Sequence, residues 1–137
     1  MLSITNIARR QMFIKIDFVS DIPIYQQIKD QVIEGIASGS ITEGESLPSV
    51  RQFAEDLGVN MHTVNKAYSM LKNEGFVAVH KRQGVVVNSR ENLRDRGFLK
   101  EIEKGIKILI AQAYCKGITE EEFLEKCRKI YSSFNKG

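Results

Sequence analysis

The chain has 137 residues, which is the length of one ordinary domain or of a small domain with an appendage. With 42% apolar and 27% charged residues, its composition excludes an intrinsically disordered chain and is typical of a soluble globular protein. The net charge of +3 identifies no partner by itself. A membrane helix is excluded, because no uncharged apolar run approaches roughly 18 residues.

The N-terminal segment is weakly patterned. Residues 1–11 show no clear period, whereas residues Met12 to Val19 alternate, with Phe13, Lys15 and Asp17 on one side and Ile14, Ile16 and Phe18 on the other. This alternation predicts a short strand or an extended arm. We assign residues 1–22 to an N-terminal extension. We expect no secretory signal, because the segment has neither a long apolar run nor a small-residue cleavage site.

The first helix is predicted to begin at Pro23, whose missing N–H would be unpaired at that position in any case. Apolar residues then recur every four positions and form one face. These residues are Ile24, Ile28, Val32 and Ile36. Gly39 is expected to end the helix, because glycine adopts a left-handed cap at little cost.

Two shorter helices follow, and their spacing predicts a helix-turn-helix. Ser49 and Asn60 are suited to cap the two helices, and Gly58 and Gly75 are suited to end them. The inward-facing residues at helical spacing are Val50, Phe53, Ala54 and Leu57 in one helix and Val64, Ala67, Tyr68 and Leu71 in the other.

A β-hairpin is predicted directly after these helices. Phe76–Val79 and Val85–Val87 are rich in β-branched residues, and the basic turn His80–Gly84 separates them. A hairpin with a basic tip in this position is typical of a wing. Residues 23–90 therefore form a predicted winged helix-turn-helix domain.

The tail, residues 91–137, carries two more helical patterns separated by Gly117. Thr119 and Glu122 have the spacing of a capping box at the start of the second. We expect the apolar stripes to form a dimerisation region, because a monomer would expose a large apolar surface; in a second interpretation the two helices partly cover each other. The predicted dimerisation residues are Leu99, Ile102, Ile106, Leu109, Ile110, Ala113, Phe123, Cys127, Ile130, Tyr131 and Phe134. The predicted fold class is thus mainly α with a small β-wing.

Charge is concentrated around the third helix and the wing. Between Asn60 and Arg90 the chain has five basic residues and a single acidic residue, Glu74. A local basic face is what contact with phosphates requires, although a solvated face without a partner has the same pattern.

In a helix-turn-helix, the N-terminal residues of the second helix reach base edges in the major groove. Asn can bond adenine through two hydrogen bonds, Thr offers a hydroxyl or a methyl, Met can contact a thymine methyl, and Lys can reach guanine or phosphate. The candidate residues are Asn60, Met61, His62, Thr63, Asn65 and Lys66. For Met61 the alternative is packing on the turn. We interpret His62 as a polar contact and not a metal ligand, since no second His or Cys lies one turn away.

Backbone contacts are predicted from two further segments. Ser49 and Arg51 open the preceding helix, where the helix N-terminus and a guanidinium suit a phosphate or, for Arg51, a guanine edge. The alternative for Arg51 is an ion pair with Glu55. The wing-tip candidates are Lys81, Arg82, Gln83 and Gly84, of which the glycine serves turn geometry.

These blocks together resemble the GntR family of bacterial repressors. The family pattern is matched in register by Pro23-Ile24-Tyr25-Gln26-Gln27-Ile28, Leu47-Pro48-Ser49-Val50-Arg51, Leu57-Gly58-Val59-Asn60 and Glu74-Gly75-Phe76. The two-helix tail is similar to the YtrA subfamily, because it is too short for the large effector-binding or aminotransferase-like domains of other members. That resemblance implies a dimeric repressor, often of a transporter operon. Met61 and Asn65 stand where many members have guanine-reading arginines, and Arg82 stands at the first wing glycine. The first departure favours A/T contacts through Asn65 and Met61, and the second gives a more basic wing tip.

The resulting hypothesis is a homodimeric transcription regulator that binds a pseudo-palindromic double-stranded DNA operator. The alternative is a winged-helix protein-interaction module that does not bind DNA, which the basic residues of the third helix and wing argue against. An enzyme is not expected, because no nucleophile–base pair, metal set or phosphate loop stands out. No cofactor or effector is assigned. Cys115 and Cys127 are expected to be reduced, buried thiols of a cytoplasmic protein, too far from the histidines in sequence for a zinc site.

Overall fold

The computed structural model describes residues 5–7, 10–12, 14–93, 95 and 97–135, with only the backbone of residues 5–7 and 10–12. The strands are β1 (Thr5–Ile7), β2 (Arg10–Met12), β3 (Val77–His80) and β4 (Gly84–Val87). The helices are α1 (Ile24–Ser38), α2 (Val50–Leu57), α3 (Met61–Asn73), α4 (Arg90–Leu93), α5 (Phe98–Cys115) and α6 (Glu120–Phe134). The chain forms two compact units, residues 1–93 and residues 94–137.

Strands β1 and β2 form an antiparallel hairpin in which Asn6 pairs with Gln11. The sequence did not indicate this hairpin. The strand or arm predicted from Met12 to Val19 is found in part: β2 ends at Met12, and residues 14–17 have no regular secondary structure. Ile14 and Ile16 are nevertheless buried, while Lys15 and Asp17 are exposed. The alternation in the sequence therefore corresponds to an extended segment with one buried side. Phe18 breaks the pattern in an exposed turn, and Phe13 lies outside the described residues.

Helix α1 begins one residue later than predicted. Pro23 has extended backbone angles, φ −54° and ψ 145°, so it is the cap and Ile24 is the first helical residue. Ile28 and Val32 are fully buried, with Ile24 and Ile36 packed at the edges of the core. Gly39 ends the helix in the left-handed conformation at φ 84°, as predicted.

The helix-turn-helix forms where its caps predicted it. The Ser49 hydroxyl accepts a hydrogen bond from the Gln52 N–H at 3.1 Å and starts α2, which Gly58 ends at φ 69°. The Asn60 side chain accepts from the His62 N–H at 2.7 Å and starts α3. The apolar faces of α2 and α3 meet α1 in a single core around Phe53, Leu57 and Leu71.

The wing is the antiparallel pair of β3 and β4, with Val79 opposite Val85 and His80 opposite Gly84. The turn is therefore shorter than predicted, because His80 and Gly84 belong to the strands. The loop after α1 adds to this sheet through a bridge between Ser46 and Val86 and a hydrogen bond from the Leu47 N–H to the Val85 carbonyl at 2.8 Å. These bonds fix the wing to the helical core. The predicted fold class, mainly α with a small β-wing, is confirmed.

The second unit contains α5 and α6. The predicted capping box is present, since Thr119 Oγ1 accepts from the Glu122 N–H at 3.1 Å and the Glu122 carboxylate bonds the Thr119 backbone. The helices make few contacts with each other, and an open cleft of about 830 Å³ lies between them. Neither helix has a buried residue. The two helices therefore cover each other's apolar stripes only in part, at half-buried residues of the cleft such as Ala113, Phe123 and Cys127. No described helix has the length and apolar content needed to cross a bilayer.

Candidate nucleic-acid interface

The N-terminal half of α3 has one buried and one exposed face. Val64 and Ala67 are fully buried, so the residues between and beside them point to solvent. Met61 is 46% exposed, Thr63 is half-buried, and His62, Asn65 and Lys66 are exposed. Asn60 is exposed, but its amide oxygen is occupied by the cap, which leaves its NH₂ group for a ligand. The residues predicted to contact base edges therefore lie together on one accessible face of α3.

The start of α2 is the second part of the interface. Ser49 is exposed, and its hydroxyl oxygen caps the helix, which leaves its hydroxyl proton for an acceptor. Arg51 is exposed and, in the described part of the chain, forms no ion pair with Glu55. The i,i+4 contact of this helix is instead the Gln52–Asp56 hydrogen bond at 2.8 Å. The Arg51 guanidinium is thus available to a phosphate or a base.

Tyr68 fixes α2 and α3 against each other. Its hydroxyl donates to the Pro48 carbonyl at 2.7 Å, and its ring lies 5.9 Å from that of Phe53. Burial raises the pKa of the Tyr68 phenol, so the hydroxyl remains a donor. The prediction that Tyr68 belongs to the core is confirmed. The contact holds Pro48, the residue before Ser49, next to α3, which sets the spacing of the two candidate surfaces.

The wing tip is the third part. Lys81, Arg82, Gln83 and Gly84 are all exposed. Gly84 has φ 71°, a left-handed conformation that a side chain would strain, so its role is in the turn. Two cationic side chains and one amide are left at the tip. Such groups suit contact with a sugar–phosphate backbone.

A groove between α3 and the wing was not predicted from the sequence. It has a volume of about 190 Å³, and its polar lining comes from Asn65, Ser69 and Lys72, with Val79 and Val85 on the wing side. Ser69 and Lys72 follow Asn65 by four and seven residues, so the helical period could have indicated that they share its face. A second missed residue is Tyr25, whose ring centroid lies 4.0 Å from the Lys66 ammonium nitrogen.

The predicted dimerisation residues lie on the open helices of the second unit. Leu99 is 66% exposed, Ile110 is 44% exposed, and Tyr131 is 73% exposed. Ile102, Ile106, Leu109 and Ile130 are also exposed, whereas Ala113, Phe123, Cys127 and Phe134 are half-buried. The expectation of buried thiols was wrong, because Cys115 is exposed and Cys127 is half-buried beside the cleft. Two helices alone therefore leave seven of these eleven side chains exposed and bury the other four only in part.

Comparisons with known proteins agree with this geometry. The family model described as bacterial regulatory proteins, gntR family, matches residues 24–87. The HTH-type transcriptional repressor YtrA of Bacillus subtilis is 33% identical over 126 residues, which cover 90% of this chain and 96% of that protein.

Two solved structures are similar over most of their length. A transcriptional antiterminator from Listeria monocytogenes EGD-e superposes with a TM-score of 0.82 at 28% identity, covering 97% of this chain and 96% of that one. YtrA from Sulfolobus acidocaldarius, a GntR-family transcription factor, superposes with a TM-score of 0.61 at 44% identity, covering 74% of this chain and 97% of that one. The similarity therefore extends beyond the winged helix into the second unit.

Proposed function

The chain belongs to the GntR family of bacterial regulatory proteins, and from this membership we propose that it acts as a homodimeric, cytoplasmic repressor of a pseudo-palindromic operator. In this proposal α3 is the recognition helix and enters the major groove of one half-site, and the wing contacts the adjacent DNA backbone. The regulated genes are proposed to include a transporter operon, as in the subfamily that the tail resembles.

The main support for the proposal that the chain binds DNA is the exposed face of α3 together with the cationic wing tip. Asn65 and Met61 offer an amide and a thioether to A·T base pairs, and neither is enclosed by other side chains. Lys81 and Arg82 offer charge to phosphates. The core beneath α3 fixes the backbone from which Met61 and Asn65 extend, so the helix itself does not have to become ordered when DNA binds.

The dimeric part is supported by the apolar faces of α5 and α6. Contiguous apolar patches beyond a few hundred Å² are rare on monomers. Here the exposed apolar side chains recur on both helices, and the cleft between the helices is lined mainly by apolar residues such as Ile106, Ile110 and Leu124. A second copy would supply the matching face, and twofold symmetry would give a pseudo-palindromic operator.

The test begins with an operator selected from random duplexes by the full chain. Fluorescence anisotropy then measures affinity for that operator and for a scrambled duplex between about 50 and 200 mM salt. We expect affinity to fall steeply with salt on both duplexes and to remain higher on the operator. Lys81→Ala should reduce the salt dependence, whereas Lys104→Ala on α5 is the matched control and should leave it unchanged.

Light scattering after size exclusion tests the dimer directly. A monomer at micromolar concentration that operator DNA leaves monomeric would contradict the dimeric model. Affinity that stays flat across the salt range would contradict phosphate contact and favour a protein-interaction module instead.

A further inference from the structure

The Lys66 side chain does not extend straight out from the recognition helix. Its ammonium nitrogen lies 4.0 Å from the centroid of the Tyr25 ring, on the neighbouring helix α1. A cation at this distance over an aromatic face is attracted by the negative face of the ring. An exposed lysine side chain would otherwise sample many directions, and the contact with the ring limits them.

Tyr25 is itself held in place. It is the second residue of α1, and its ring is half-buried and packs against the core of the first unit. Four residues further along α1, the Lys29 ammonium bonds the carboxylate of Glu74, the residue that follows the end of α3, at 2.6 Å, and the Lys29 side chain is only 12% exposed. Because Tyr25 packs against the core and the Lys29–Glu74 ion pair joins α1 to the end of α3, the ring keeps a fixed position relative to α3.

The direction of Lys66 separates it from its neighbours on α3. Asn65 is exposed and lines the groove between α3 and the wing, whereas the Lys66 ammonium lies over the Tyr25 ring of α1. Lys66 leans sideways over α1, at the flank of the recognition helix. The sugar–phosphate backbone borders the groove into which such a helix inserts, so a cation at the flank meets phosphate and not a base edge.

We propose that Tyr25 is a positioning residue of the DNA-binding surface, whose ring holds the Lys66 ammonium for contact with a phosphate at the edge of the major groove. This inference rests on the proposed function, and it assigns Lys66 to the backbone and not to guanine. Tyr25 acts through Lys66, so removing the ring matters only while the lysine is present.

A double-mutant cycle on the full-length chain tests this dependence. The variants are Tyr25→Leu, Lys66→Met and the two combined, with affinity measured on the selected operator and on a scrambled duplex. We expect Tyr25→Leu to weaken binding about two- to fivefold in the presence of Lys66, and to have no further effect after Lys66→Met. Lys66→Met should weaken binding to both duplexes equally and reduce the salt slope by about 0.9 for each subunit, which is about 1.8 for the dimer.

Tyr25→Phe is the matched control, because it keeps the ring and removes only the hydroxyl. It should bind as the unmodified chain does. If it weakens binding as much as Tyr25→Leu, the hydroxyl contacts DNA itself and the positioning role is overturned. Equal losses from Tyr25→Leu with and without Lys66, or a loss from Lys66→Met confined to the operator, would overturn it too.

The contact has a signature that does not depend on DNA. The ring current of Tyr25 should shift the Lys66 Cε proton resonances upfield in the free protein, and Tyr25→Phe should retain this shift. A shift that is absent from the unmodified chain overturns the inference even if Tyr25→Leu fails to fold. If the unmodified chain binds duplexes with salt dependence but the cycle shows no coupling, only the role of Tyr25 fails. An absence of DNA binding would overturn the proposed function itself.

Discussion

The two units of the chain use the same kind of amphipathic helix with opposite results. In the first unit, α1, α2, α3 and the wing enclose Phe53, Leu57 and Leu71 so fully that these side chains have no exposed surface. In the second unit, α5 and α6 have apolar stripes of similar regularity and no buried residue. Apolar periodicity thus identifies the face to be covered but not whether the same chain covers it.

The difference has a geometric cause. Three helices and a hairpin can surround a common interior, whereas two diverging helices can cover at most one side of each other. Hydrogen bonds also restrict how the first unit can pack. Tyr68 bonds the Pro48 carbonyl and Gln27 bonds the Ile22 carbonyl. The stability of the first unit should therefore be independent of protein concentration, while the second unit should depend on a partner.

Ile110→Asp should have the largest effect, because it places a charge in the apolar stripe of α5. We expect dissociation to monomers and a loss of operator affinity of about 100- to 10,000-fold, since two linked half-sites would no longer bind together. Light scattering and anisotropy measure the two losses. Gln112→Asp, at an exposed polar position of the same helix, is the control. Should Ile110→Asp remain dimeric with full affinity, the apolar stripe has another role.

Phe53→Ala should have the next largest effect, and it acts on the closed core. Removing this fully buried ring should lower the free energy of unfolding by about 3–5 kcal/mol, measured by urea denaturation. The loss should be the same at every protein concentration, in contrast to Ile110→Asp. Phe98→Ala is the matched control, because that ring is 53% exposed. A concentration-dependent loss in Phe53→Ala would mean that the two units are not energetically separate.

The elements with strong local signals could be predicted from the sequence. Ser49, Asn60 and Thr119 each bond a backbone N–H two or three residues ahead, so their side-chain chemistry alone indicated where three helices start. The hairpin of β1 and β2 could not be predicted in this way, because no period-2 pattern or turn signal marks residues 5–12. The burial of Gln27 was also missed, since its three hydrogen bonds to the segment from Asp17 to Ile22 depend on tertiary folding.

The candidate site was predictable to the extent that helical period and chemistry determine it. Asn65 and Lys66 were placed on the outer face of α3 because the inward positions were already apolar. The sequence could not indicate that Lys66 leans on Tyr25, which lies about forty residues earlier and meets it only when α1 packs on α3. The cysteines were predicted as buried because they stand on helical, charge-rich segments of a chain expected to be cytoplasmic. The prediction fails because neither helix of the second unit has a buried residue.

Asn65→Ala and Lys81→Ala test whether these two side chains of the first unit contribute to DNA binding without contributing to its stability. Asn65→Ala should relax preference at one base pair of each half-site by about 1–3 kcal/mol, whereas Lys81→Ala should weaken all duplexes similarly and reduce the salt slope by about 0.9 for each subunit, which is about 1.8 for the dimer. Competition binding with operators altered at single positions measures the first effect. Neither variant should change the unfolding midpoint, because both side chains are exposed. A preference that Asn65→Ala leaves intact would remove Asn65 from base recognition.

Tyr68→Phe should have the smallest effect, and it probes the bond that keeps α2 beside α3. Losing the hydrogen bond to the Pro48 carbonyl should cost about 1 kcal/mol of unfolding free energy at pH 7. Burial raises the Tyr68 pKa in the folded state, so the unfolded chain releases this proton first, at a pH of about 10. The tyrosine's contribution is therefore complete below pH 10 and is lost as the pH rises above it, and the advantage over Tyr68→Phe should shrink there. Urea denaturation at pH 7 and in this alkaline range measures the difference, with exposed Tyr114→Phe as the control expected to change stability little at pH 7. An advantage that grows with pH would mean that the phenolate, and not the phenol, is favoured in the core.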